Sequence, residues 1–195
     1  MDLRTSLHRA AGLQARTVVL VEGGSDRRAL EAVARRGGRS LDGVAVVPMG
    51  GITNIGHFLD LFGPRGLGRS LAGLYDVAEE GYVRRGLERA GLGPALSREQ
   101  LAALGFQVCV ADLEDELIRA LGVAAVEQVV EAAGDLPSFR RFQRQPAQRE
   151  RPLAAQLHRF IGTRSGRKAQ YADLLSDALP PARVPPALDR LLAHL

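Results

Sequence analysis

The sequence predicts an α/β fold, with a four-stranded parallel sheet flanked by helices and followed by a helical C-terminal extension. Three observations carry this. Over residues 17–122, short apolar runs alternate with stretches of helical apolar spacing, the pattern of a parallel sheet covered by helices. The runs are apolar on both faces, as buried parallel strands are. Three of the four end in an acid, and right-handed crossovers bring such strand ends to one edge of the sheet. Beyond residue 122 the strand signal stops. The expected division is an α/β core over 1–122 and a helical extension over 123–195.

Taken in order, residues 2–14 have the pattern of a short leading helix. Thr17 to Val21 is the first strand, ending in the turn Glu22-Gly23-Gly24-Ser25-Asp26. Ser25 is the expected cap of a helix carrying Leu30, Val33 and Ala34 and ending near Gly37-Gly38. Val44 to Val47 is the second strand. It runs into Gly50-Gly51, glycines ahead of a helix N-terminus that could let backbone N–H groups approach a phosphate, or simply form a tight turn. Thr53-Asn54 caps the next helix, with Ile55, Phe58, Leu59 and Phe62 inward. Ser70 to Tyr75 is the third strand and ends on Asp76; the helix after it has Tyr82, Val83 and Leu87 inward and its arginines outward. Residues 98–104 form a helical turn or two. Phe106 to Val110 is the fourth strand, leading through Asp112-Leu113-Glu114 into a helix with Leu113, Leu117, Ile118 and Leu121 on one face. In the extension, apolar spacing marks helices in 123–133, 153–161, 169–179 and 187–195, separated by prolines.

Composition narrows the function. Cys109 is the only cysteine and lies in an apolar run, so disulfide frameworks and cysteine-histidine zinc sites are excluded. No N-terminal apolar run is long enough for a signal peptide, and none spans a bilayer; the expectation is a cytoplasmic protein without a membrane partner. The net charge of +4 hides an asymmetry. Between Asp135 and Gln170 there are nine basic residues against two acids, while the rest of the chain is net acidic. A basic segment beside an acid-bearing sheet suits an enzyme acting on a polyanion; a solvated helix face is the alternative. Lys168 is the only lysine, against twenty-five arginines, which suggests a position that needs a compact ammonium.

The strand ends gather Glu22, Asp26, Asp76, Asp112 and Glu114 at one rim. Carboxylates crowded together repel, and burying them unpaired is costly. A divalent cation resolves both problems; separate, solvated acids are the other possibility. His57, His158 and His194 have no partners at a diagnostic spacing and read as structural or exposed. Tyr75 and Tyr82 read as core.

These residues resemble a Toprim domain, with its glutamate after the first strand (Glu22) and its aspartate motif after the third (Asp76). More narrowly, the chain is similar to the Toprim part of OLD-family (overcoming lysogenisation defect) endonucleases. Glu22-Gly23-Gly24-Ser25-Asp26 matches that branch's EGxSD-like turn, Gly50-Gly51 its Gly-Gly element, Asp112-Leu113-Glu114 its late acid pair, and Gly166-Arg167-Lys168 its basic motif in a C-terminal helix. The resemblance runs from about Thr17 to Leu175.

It implies a nuclease that hydrolyses phosphodiester bonds, of DNA first, with two Mg²⁺ or Mn²⁺ ions about 3.5–4 Å apart. Glu22, Asp26 and Asp76 would hold one ion and Asp112 and Glu114 the other. Lys168 would act with Glu22 and Asp76 in catalysis by stabilising the transition-state phosphate. Arg140, Arg141, Arg144, Arg164 and Arg167 would contact phosphates.

Two departures stand out. The usual DxD reads Asp76-Val77-Ala78, and Glu79 or Glu80 on a helix would not point where residue 78 does. The ATPase domain that OLD nucleases carry ahead of the Toprim part has no counterpart here, so a separately encoded ATPase is an expected partner. The alternatives are a catalytically degenerate Toprim module that binds nucleic acid or a protein, and nucleotidyl transfer as in primases.

Overall fold

The computed structural model describes residues 14–163 and 166–195. The leading helix expected over residues 2–14 therefore falls almost wholly outside the described residues, as does Arg164.

Four strands form one parallel sheet in the order β2-β1-β3-β4: β1 (Thr17–Val21), β2 (Val44–Pro48), β3 (Ser70–Asp76) and β4 (Phe106–Cys109). Val19 is in register with Val46 on one side and Ala72 on the other, and Asp76 with Cys109. Asp76 is thus the last residue of its strand rather than the first beyond it.

Alternate residues of each strand feed two separate cores, because successive side chains point to opposite faces. On one face Val18, Leu20, Val47 and Phe106 pack with Phe58, Phe62, Leu87 and Leu101. These come from α2 (Ile55–Phe62), α3 (Glu80–Arg89) and α4 (Arg98–Ala103). On the other face Val19, Val21 and Leu74 pack with α1 (Gly24–Arg36) and α5 (Leu113–Leu121). The C-terminal helices complete this second layer: α6 (Val123–Ala132), α7 (Leu136–Gln143), α8 (Leu153–Gly162), α9 (Arg167–Ala178) and α10 (Pro186–His194). Val19, Phe160, Tyr171 and Leu188 belong to one continuous cluster, so packing runs unbroken across residue 122.

Helix α7 is absent from the sequence reading. It has Pro at its start and two buried aromatics, Phe139 and Phe142, whose rings lie 5.0 and 5.6 Å from that of Phe160. Two inward residues in so short a segment leave little periodicity to detect.

Local details differ from expectation in three further places. Ser25 is buried inside the first turn of α1, and Gly23 is the N-cap instead; its N–H donates to Asp26 Oδ2 at 2.7 Å. Asn54 makes no side-chain cap, and its amide donates back to the carbonyls of Met49 and Gly50. Tyr82 is exposed, whereas Tyr75 is core as expected. The core contribution of α3 comes from Val83, Gly86 and Leu87. Among the described residues no helix is long and apolar enough to cross a membrane.

Candidate metal centre

The carboxyl edge of the sheet is built by three chain reversals. After β1, Glu22 is held in place by its own carbonyl, which accepts from the N–H groups of Gly50 (3.0 Å) and Gly51 (3.2 Å). Both glycines have positive φ, 72° and 114°, which explains the residue type. With those N–H groups bonded to Glu22, a phosphate-cradling role for Gly50 and Gly51 gives way to positioning Glu22.

After β3, a single 3₁₀ turn (Val77–Glu79) precedes α3. This turn decides the site. It is tighter than an α-helix and brings residue 79 back over the strand end. Glu22, Asp76 and Glu79 each offer a carboxylate oxygen, all within 4.8 Å of one another. The sequence reading set Glu79 aside on the premise of a regular helix, and the premise fails. An acid three residues after a strand-ending aspartate is the signal that could have found it.

Asp26 lines the same small cleft as Glu22 and Asp76. Burial, then the charges of Glu114 and Glu22, push its carboxyl up to about 7 against the opposing effects of the Gly23 N–H and Lys168. Burial, with Glu79, Asp112, Asp26 and Glu22 adding repulsion, raises Asp76 to about 7 as well. Glu79 is raised by burial and by Glu22, and its Oε2 is buried without a hydrogen-bond partner. Four acids thus share one small volume.

The late acid pair is arranged differently. Asp112 is the N-cap of α5, with Oδ1 accepting from the Asp115 N–H at 2.8 Å. Its Oδ2 lies 2.6 Å from His158 Nε2 on α8. Burial works against the Asp112 carboxylate, but the His158 and Asp115 hydrogen bonds outweigh it and hold the pKa below the usual range. His158, read from sequence as without a partner, is therefore tied to the site, raised by its bond to Asp112. A partner 46 positions distant leaves no local spacing to read. Glu114 is almost completely buried, and Lys168 Nζ stands 3.1 Å from its Oε2. Neither oxygen has a hydrogen-bond partner among the described residues, so Lys168 meets Oε2 as an ion pair and Oε1 stands alone. Burial lowers the Lys168 pKa, and the carboxylates of Glu114, Asp26 and Asp112 more than reverse this, so the ammonium stays charged.

The basic residues divide. Arg167 is buried against the Phe160 ring, 4.0 Å from its centroid. It donates to the Phe160 carbonyl and Thr163 and pairs with Asp135 at 3.4 Å. Its role is structural, and the expected phosphate contact is corrected accordingly. Arg140 pairs with Glu127 at 2.8 Å. Arg141 and Arg144 are exposed.

Residues 13–77 match the family model described as "Overcoming lysogenization defect protein-like, TOPRIM domain". Over these residues the chain is similar to an OLD-like Toprim domain. The fold extends the likeness past the matched residues. The C-terminal region of the Xanthomonas campestris pv. campestris OLD protein superposes with a TM-score of 0.68 at 26% identity, covering 92% of this chain and 91% of that one. The C-terminal region of the Burkholderia pseudomallei OLD protein gives 0.67 at 23%, covering 92% and 96%. Among curated proteins, none matches the sequence significantly. The matched stretch of the Toprim domain contains Glu22, Asp26 and Asp76. Glu79, Asp112, Glu114, His158 and Lys168 lie beyond it.

Proposed function

We propose that this Toprim domain is a metal-dependent nuclease that hydrolyses phosphodiester bonds, DNA being the first substrate to test. The observation that carries the reading is the convergence of Glu22, Asp76 and Glu79, with Asp26 beside them, in a cleft where no basic side chain is ion-paired to the first three among the described residues. Hard oxygen donors in this density suit Mg²⁺ or Mn²⁺. The orphaned Glu79 Oε2 and the raised carboxyls of Asp26 and Asp76 are what a ligand set looks like before a cation relieves it. Glu22, Asp76 and Glu79 would hold one ion, with Asp26 adjoining. Asp112 would serve a second ion only if His158 yields its Oδ2, whereas Glu114 keeps Oε1 for an ion while Lys168 stands against Oε2. Once bound, the cation supplies an activated water and Lewis-acid stabilisation of phosphate oxygens.

The chain's own residues do the rest. Lys168, kept protonated by Glu114, presents a fixed positive charge beside the acids for the charge that builds on the phosphate. Asp112 with His158 holds α8 against the start of α5. Asp26 fixes the β1–α1 turn through the Gly23 N–H and so sets where Glu22 stands.

Supercoiled plasmid with Mg²⁺ or Mn²⁺ provides the test. The expected result is nicking by the wild type and none by Glu22→Ala. Equal nicking by both, or by neither, ends the proposal.

Ala78, standing where the second acid of DxD is usual, favours one other reading: a degenerate module that binds nucleic acid without catalysis. Calorimetric titration with Mn²⁺ separates the two. The nuclease binds the ion and loses it on Glu22→Ala, whereas the module binds nucleic acid with no requirement for a divalent ion.

A further inference from the structure

Helices α2 and α3 both begin at the carboxylate edge. The first follows the Gly50-Gly51 turn that holds Glu22, and the second follows Glu79. Between them runs a polar groove, lined by Gly56, His57 and Asp60 of α2, Gly86 and Arg89 of α3, and Arg65 of the loop after α2. Glycine makes the groove. A methyl at Gly86 would lie 2.9 Å from Leu59 Cδ1, so the helices approach closely there, and one at Gly56 would come within 3.4 Å of Arg89 Nη2.

The two arginines of this groove are among those of the chain that have no carboxylate partner among the described residues. Arg27, Arg28, Arg35, Arg39, Arg84, Arg98, Arg119, Arg140 and Arg167 each pair with a carboxylate. Arg65 and Arg89 pair with none among the described residues, although Asp60 lines the same groove; Arg89 donates to the Arg85 carbonyl at 3.3 Å. Helical spacing puts Tyr82, Gly86 and Arg89 on one face of α3, with Tyr82 about 10 Å nearer the acids than Arg89. Tyr82 is 44% exposed, while Tyr75 and Tyr171 are buried. The Arg85 guanidinium lies over its ring, 5.0 Å from the centroid. Guanidiniums without a carboxylate partner in a groove, with an exposed tyrosine farther along the same helix, are the kinds of group by which proteins hold a single nucleic-acid strand without reading its sequence.

We infer that the α2–α3 groove is the track for one strand of a nucleic-acid substrate, its phosphates held by Arg65 and Arg89 and a base stacked on Tyr82. This rests on the nuclease reading and adds a path to it. The strand reaches the acids over the face opposite the basic C-terminal segment.

The test is equilibrium binding of fluorescent single-stranded DNA and RNA oligonucleotides in EDTA, where cleavage does not interfere. Arg65→Glu with Arg89→Glu is expected to weaken binding by about tenfold or more. It should also flatten the log–log salt dependence by about 1.4, two contacts at roughly 0.7 each. Tyr82→Ala is expected to cost about five- to a hundredfold. Arg36→Glu with Arg183→Glu, outside the groove and without an assigned binding role, serves as the control and is expected to leave affinity and slope unchanged. All five positions are exposed, and thermal melts verify that the variants fold. An Arg65/Arg89 variant matching wild type in affinity and slope overturns the track, as does a loss confined to the Arg36/Arg183 control. In either case metal-dependent nicking can still stand. A wild type that binds neither oligonucleotide removes the track, and the nicking assay then decides the nuclease reading separately. A preference between DNA and RNA identifies which strand the track takes.

Discussion

At the carboxyl edge of the sheet, Glu22, Asp76 and Glu79 face one another with no ion-paired base among the described residues, whereas Asp112 and Glu114 are each answered from within the chain, by His158 at 2.6 Å and Lys168 at 3.1 Å. The two groups belong to the same edge, yet the fold neutralises one and leaves the other in mutual repulsion. Such crowding costs stability: burial first, and the neighbouring carboxylates second, raise the carboxyls of Asp26 and Asp76. A chain with twenty-five arginines had ample means to pair these acids. On the proposed reading, the difference teaches that the first group is fitted to a charge from outside, while the second also holds a lysine and a helix in place.

The largest expected effect comes from the unpaired group. Glu22→Ala should reduce Mg²⁺-dependent nicking by on the order of a hundred- to a thousandfold while leaving the melting temperature unchanged or higher. Nicking kinetics beside a thermal melt check it. Glu79→Gln should lower Mn²⁺ affinity by roughly tenfold or more in calorimetry. An unaltered affinity would remove Glu79 from the cluster and restore the gap that Ala78 leaves.

The paired group should respond in the opposite sense, through stability. Lys168→Ala strands the Glu114 carboxylate in a buried site and should cost about 1–2 kcal/mol, a buried-pair penalty discounted because the lysine is half exposed. Adding Glu114→Gln should recover most of that stability in urea melts and none of the nicking. Recovery of activity in the double variant would show that the lysine serves the fold alone.

The smallest effect is the pH dependence of the metal-free protein. Asp26 and Asp76 have folded-state pKa values of about 7, above the ordinary carboxylate value of the unfolded chain. The folded state therefore binds more protons across the interval between those values, and stability falls as pH rises from about 4 to about 7. His158, also raised in the folded state, adds a loss in the same direction as pH climbs through its titration. Melting temperature in EDTA should thus be higher near pH 5 than near pH 8, and added Mg²⁺ should narrow the gap by stabilising the alkaline side. A flat profile would mean that the acids do not stand together in solution.

Much of this was legible in the sequence because it follows from short-range pattern. The four strands lie within a residue or so of where the apolar runs put them, and their parallel pairing sends Glu22, Asp26 and Asp76 to one edge. What the sequence hid depends on geometry that periodicity does not encode. The 3₁₀ turn that swings Glu79 into place is three residues long and has no apolar face of its own. His158 meets Asp112, and Arg167 meets Asp135 and Phe160, through packing between helices far apart in the chain. Tyr82 was misread for a related reason: spacing alone does not separate the residues of a helix's buried stripe from those at its margin.

Helices α1 and α9 lie side by side and point the same way, tied by Arg28–Asp173 at 2.6 Å, Arg35–Asp177 at 3.1 Å and the Arg36 bond to the Leu179 carbonyl. Asp26 starts one helix and Lys168 starts the other, so the ammonium is set down beside the acids only when this late helix docks. During synthesis the carboxylates emerge long before the lysine does. A growing chain that has not yet reached residue 167 holds the acids alone, and on the nuclease reading cutting waits until the last third of the polypeptide has folded onto the first.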